Sequence, residues 1–121
     1  MLQKFWYMDD RTCKYLYDIL TAISEIELFL GSEPRLFETF HQDLRLRRAV
    51  ERDIEIIGEA MNRVLKTDSS IVITDSRKIV DARNYIIHGY DSLSSDVLWS
   101  IVIRHLPILK AEITQLLEQK K

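Results

Sequence analysis

DLRLRRAVERDIEIIGEAMNRVLK, residues 43–66, is the stretch whose reading decides the fold. Leu46, Val50, Ile54, Ile57, Met61, Val64 and Leu65 recur at three- and four-residue steps, which places them on the inner face of one long helix from about Asp43 to about Lys66. Gly58 sits in its middle. A glycine there costs up to ~1 kcal/mol relative to alanine, so it marks the close approach of another backbone at Ile57-Gly58-Glu59-Ala60.

The flanking sequence carries the same signature. Upstream, Asp9 or Asp10 can cap a helix over about 9–30, with Leu16, Ile19, Leu20, Ile23, Ile26 and Leu30 as its buried stripe and Gly31 as its stop. Ser32-Glu33-Pro34 then predicts a capped turn with proline in the first positions of a short helix, about 34–41, carrying Leu36, Phe37 and Phe40 as a lid or connector. Downstream, Thr67-Asp68-Ser69-Ser70 reads as a turn and Ile71-Val72-Ile73 as a loop. Thr74, Asp75 or Ser76 can cap a helix over about 75–88 that stops at Gly89. Ser94 or Ser95 can cap a last helix, about 94–118, with Leu98, Ile101, Val102, Leu109, Ile113, Leu116 and Leu117. Pro107 lies within it, so a kink or break is expected near Arg104. With three glycines and two prolines in 121 residues there are few breakers. The expectation is an all-α, up-down bundle of four to five helices, one domain over residues 1–121, with a kinked last helix.

A net charge of −2 argues against generalised polyanion binding, so any RNA contact must be local. Cys13 has no disulfide partner, and three scattered histidines give no Cys/His ligand set. Neither a metal nor another cofactor is expected. No apolar run approaches the ~18–20 residues that span a bilayer, and the opening residues lack a signal-peptide pattern. A soluble, unprocessed, cytoplasmic protein is the expectation, with no membrane contact.

The chemistry concentrates in Arg83-Asn84-Tyr85-Ile86-Ile87-His88-Gly89-Tyr90. Arginine offers a permanently charged planar fork for phosphate oxygens, and histidine both gives and takes a proton near neutrality. Together they suggest phosphodiester chemistry without a metal. Asn84 and His88 are four apart and stack on one helix face, whereas Arg83 lies about 140° from His88 on a regular helix. Arg83 could snorkel out, the helix could loosen before Gly89, or Arg83 could serve a site across a two-fold axis. In the bland reading His88 simply favours a helix C-terminus and Arg83 pairs with a carboxylate such as Glu59 or Asp81.

Three ordered blocks tip the balance: Ile56-Ile57-Gly58-Glu59-Ala60, Ala82 through Tyr90, and Val97-Leu98-Trp99 followed by His105-Leu106-Pro107-Ile108-Leu109. With them the chain, from about Asp9 to its end, resembles the HEPN family, specifically the HepT-like toxins encoded beside a minimal nucleotidyltransferase. Ahead of the motif helix many relatives carry proline and tryptophan where this chain has Ile73-Thr74-Asp75-Ser76, a departure that bears on the loop and not on the motif. The resemblance implies a homodimer through the motif helices, metal-independent endoribonuclease activity, and neutralisation by the cognate nucleotidyltransferase, in some pairs by AMP transfer to the tyrosine that is Tyr90 here. Its mechanism would be 2′-hydroxyl attack on the neighbouring phosphorus, with His88 moving the proton, Arg83 holding the phosphate and Asn84 orienting either.

Arg45, Arg48 and Arg52 form a ridge, with Arg47 beside it, that could steer RNA. Glu51, Asp53 and Glu55 are interleaved, which favours a solvated face of exchangeable ion pairs. His41 and His105 are expected to be ordinary core or surface histidines, and Trp6 and Trp99 packing anchors. The competing classes are a non-catalytic helical module that binds a nucleotidyltransferase or a nucleotide, and a plain helical scaffold.

Overall fold

A computed structural model describes residues 8–32, 35–89 and 93–119. These are helical with no strand. Helix α1 (Asp10–Leu30) begins where Asp9 Oδ1 accepts the Thr12 N–H at 2.8 Å, and ends at Gly31 in the left-handed region, φ 72°. Short α2 (Phe37–Gln42) leads into α3 (Leu44–Thr67), capped by the Asp43 carboxylate on the Leu46 N–H at 3.0 Å. Helix α4 (Ser76–His88) follows the loop. Helix α5 (Ser95–Ser100), with Ser94 accepting from Val97 at 3.3 Å, runs without a gap through a π turn (Ile101–His105) into α6 (Leu106–Glu118).

Helices α1 and α3 pack along each other, α4 lies on α3, and α6 returns against α1. Leu16, Ile19, Ile23 and Ile26 of α1 meet Val50, Ile54, Ile57, Met61 and Val64 of α3 in the core, as their spacing predicts. Cys13 is free and buried among them. Phe40 is buried and sits 5.1 Å from the Trp99 ring, so α2 is a packed connector between α3 and α5. Ile71 and Ile73 plug into the core while Val72 faces solvent, anchoring the loop without strand pairing.

Three local expectations change. Helix α2 starts at Phe37 behind an extended Leu36 that makes no side-chain cap, later than the predicted 34; Glu33 and Pro34, with Trp6 and the rest of the first seven residues, lie outside the described residues. Asp75 occupies the N-cap position of α4 but does not cap it. Its backbone is left-handed, φ 59°, and its carboxylate turns instead to His105 Nδ1 at 2.8 Å. Thr74, another of the three candidate caps, gives its hydroxyl and its N–H to Glu112 at 2.7 and 3.0 Å. The predicted kink appears as the π turn: with no N–H at Pro107, the ladder widens and the Leu106 N–H reaches back to the Ile101 carbonyl.

Candidate functional site

The site is set by how closely α4 can approach α3. A Cβ on Gly58 would overlap Arg83 Cβ and lie 2.9 Å from the Ile79 carbonyl oxygen, so only glycine admits α4 at this spacing. The close approach expected at Ile57-Gly58-Glu59-Ala60 is therefore that of the motif helix, at its arginine.

The Arg83 stem crosses Gly58 and its guanidinium ion-pairs with Glu59 of α3, while Nη1 donates to Asn84 Oδ1 at 2.9 Å. Glu59 is also held by Arg63 Nε at 3.0 Å. Of the two carboxylates suggested for Arg83, Glu59 is the one used. The Arg83 Nε is buried without a partner. Asn84 is half-buried and His88 is exposed in the last turn of α4, next to exposed Tyr85 and Ile87. Within one chain, then, Arg83 and Asn84 are joined, Arg83 is turned toward α3, and His88 faces solvent. Tyr90 lies outside the described residues.

On the α3 side Arg83 forms one wall of a groove of about 410 Å³ between α1 and α3. Tyr15, Thr21, Ala22 and Glu25 of α1 face Arg52, Asp53, Glu59 and Arg63 of α3 across it. The Arg63 guanidinium stands 5.9 Å from the centre of the Tyr15 ring. Asp53 is only 3% exposed, and burial, with a hydrogen bond and like charge from Glu25, pushes its carboxyl up to about 7 against a weaker opposing pull from Arg52. This pair escapes sequence reading because its members lie 28 positions apart on different helices; the one available signal is an aspartate inside the apolar stripe of α3, between Val50 and Ile54.

Arg45, Arg48 and Arg52 are all exposed along α3. Arg48 Nη1 lies 3.5 Å from Glu51 and lines a small hollow with Leu44, Arg47 and Leu93, and Arg52 pairs with Glu55 at 2.7 Å on the groove side. Glu51 is nearly buried and accepts the Leu93 N–H at 3.0 Å, tethering the chain that follows the motif. His41 contacts Ser95 Oγ at 2.6 Å and stacks on Phe37. Among the described residues no group of three or more His, Cys, Asp or Glu is placed to hold a metal ion. Nor is any helix long and apolar enough to cross a membrane.

Comparison with known proteins adds a family. The model of a family described as ribonuclease HepT-like matches residues 19–116. A Thermococcus cleftensis protein named "Probable ribonuclease HepT" is 35% identical over 104 residues, 84% of this chain and 92% of its own length. A Methanocaldococcus jannaschii protein is 32% identical over 82% of this chain and 90% of its own, and one from Caldanaerobacter subterraneus is 29% identical over 90% and 88%; both are named provisionally as RNases. No solved structure matches.

Proposed function

The chain belongs to the HepT-like ribonuclease family, and from that premise we propose that it is a cytoplasmic toxin, a metal-independent endoribonuclease acting through Arg83, Asn84 and His88. An RNA 2′-hydroxyl attacks the adjacent phosphorus, the 5′-oxygen leaves, and the products are a 2′,3′-cyclic phosphate and a free 5′-hydroxyl. Exposed His88 passes the proton, worth ~10²–10⁴ in rate. Arg83 holds the non-bridging oxygens as charge grows on them. Asn84 spends its carbonyl oxygen on Arg83, which leaves its amide hydrogens for the phosphate.

The observation that carries this reading is Arg83 itself: an arginine seated over Gly58, fixed by Glu59 and Asn84, on the helix that presents His88 to solvent. Its orientation toward α3 favours the two-fold route, in which Arg83 of one copy and His88 of another serve one phosphate. Tyr85, 52% exposed, and Ile87, 40% exposed, offer the apolar surface on α4 for such a homodimer.

The test is cleavage of end-labelled RNA by purified protein in EDTA. The parent is expected to leave cyclic-phosphate ends, and His88→Ala and Arg83→Gln to lose at least about a hundredfold in rate while staying folded. A folded, partner-free parent that cleaves nothing would shift the assignment to a non-catalytic module binding a nucleotidyltransferase or a nucleotide; cleavage surviving both changes would put the chemistry elsewhere. Neutralisation belongs to a cognate minimal nucleotidyltransferase that transfers AMP to Tyr90, where a bulky anion would repel the incoming phosphate. Mass spectrometry after incubation with that partner and ATP should show one AMP added at Tyr90, and an unmodified tyrosine in neutralised protein would point to sequestration.

A further inference from the structure

We infer that the groove between α1 and α3 is a nucleobase subsite, in which Glu25 reads the amino edge of a guanine belonging to the nucleotide whose phosphate rests on Arg83. The inference deepens the ribonuclease reading above and takes from it only which group of the RNA reaches Arg83.

The charges around the groove pair off unevenly. Asp18 is held by Lys14 at 3.0 Å and Glu55 by Arg52 at 2.7 Å. At the α4 end, two cations, Arg63 and Arg83, share the single carboxylate of Glu59, leaving an excess positive charge. At the other end two carboxyl groups, exposed Glu25 and buried Asp53, line the groove together while nearby Arg52 is paired with Glu55, so this end is acidic. The groove is thus polarised along its length. A free phosphate satisfies only one end and a cation only the other.

A nucleotide matches both. Its phosphate meets the partly exposed guanidinium of Arg83 at the groove wall, and its base extends along a groove of about 410 Å³, within the ordinary size of small-molecule sites. Single-stranded bases are held by stacking on aromatic rings or guanidinium planes and read on their Watson–Crick edges. Tyr15 with Arg63 beside its ring supplies the first, and the carboxyl pair supplies the second. Burial and Glu25 hold the Asp53 carboxyl up to about 7, while Glu25, exposed on the groove wall, presents its carboxylate oxygens as acceptors. Guanine presents two adjacent donors, N1–H and the N2 amino group, to one carboxylate. Uracil presents carbonyl oxygens on either side of its single N–H, and these repel it. Discrimination by such a bidentate contact is worth ~1–3 kcal/mol, about 5- to 150-fold.

Two measurements decide it. In the first, the ¹⁵N-labelled protein is titrated with GMP and with UMP. GMP is expected to shift the amides of Tyr15, Thr21 and Ala60, with UMP binding at least about fivefold more weakly; exposed Glu25→Gln should erase the difference, and Arg83→Gln should weaken both nucleotides alike. Equal binding of the two nucleotides, or shifts confined to residues away from the groove, would overturn the subsite. In the second, cleavage in EDTA of oligonucleotides with a single guanosine or uridine at the groove position should favour guanosine in the parent and lose that preference in Glu25→Gln. Preference retained in the variant also overturns the proposal. A parent that binds GMP in the groove yet cuts no RNA overturns the ribonuclease reading and supports the subsite.

Discussion

Replacing Gly58 with alanine isolates one physical contest. Alanine is the better helix former by up to ~1 kcal/mol, but its Cβ meets the Ile79 carbonyl oxygen at 2.9 Å as well as Arg83 Cβ, and backbone cannot swing aside as a side-chain tip can. Overpacking of this kind costs ~1–3 kcal/mol, so the clash wins: Gly58→Ala should lower Tm by several degrees in a thermal melt and depress RNA cleavage through the displaced Arg83. Asp53 gives the second prediction at this scale. Its carboxyl, raised from 3.8 to about 7 when folded, keeps its proton where the unfolded chain has lost one. The resulting stabilisation is fully present below pH 3.8 and is lost as pH rises through about 7. Asp53→Asn keeps the shape and cannot ionise. Its Tm should therefore exceed the parent's by a few degrees at pH 8, with the gap narrowing as pH falls below about 7 and closing only near pH 4; a gap that instead widened toward acid would mean that Asp53 is not protonated in the fold.

Among the elements, α4 is the one whose seating is least visible in sequence. The long helices, the Asp9 and Ser94 caps and the Gly31 stop follow from short-range chemistry, whereas α2 starts three residues later than its turn signal suggests. Gly58 even announces the tight contact. Apart from the pairing of Arg83 with Glu59, what escapes is the set of tethers that join distant positions, among them Asp75 to His105, Thr74 to Glu112 and Glu51 to Leu93, and the neighbouring of Asp53 and Glu25. Local rules make Asp75 a cap, because a carboxylate before a helix ordinarily serves that helix; the tertiary partner His105, brought within reach by the π turn, outbids the α4 amides. His105→Ala should consequently leave Asp75 in a left-handed conformation without its main support. We expect a loss of ~1–2 kcal/mol and faster hydrogen exchange at the first turn of α4, residues 76–79, with protection across α1 and α3 unchanged. Uniform loss of protection would mean that the tether serves the whole bundle and not the motif helix.

At the scale of the whole molecule the question is whether one copy holds a complete site. Arg83 is drawn to α3 and His88 is exposed at the helix end, so the reading that joins them across a two-fold axis makes a stoichiometric prediction that a single-chain site does not. Arg83→Gln and His88→Ala proteins would each be inactive alone, since both sites of either dimer lack one group. Unfolded together and refolded as an equal mixture, about half the dimers carry one chain of each kind. In such a dimer one site has lost both groups, while the other draws the intact arginine from one chain and the intact histidine from the other. Activity should return to about a quarter of the parent's, one competent site in half the dimers. An Ile87→Asp change introduced into both chains, placing charge on the exposed apolar face of α4, should abolish the recovery by preventing pairing, and size-exclusion chromatography would show whether it does so. Failure of the mixture to recover, with heterodimers demonstrated by mass spectrometry, would mean that Arg83 and His88 of the same chain act together, and Arg83 would then have to leave Glu59 and cross α4 to reach the phosphate.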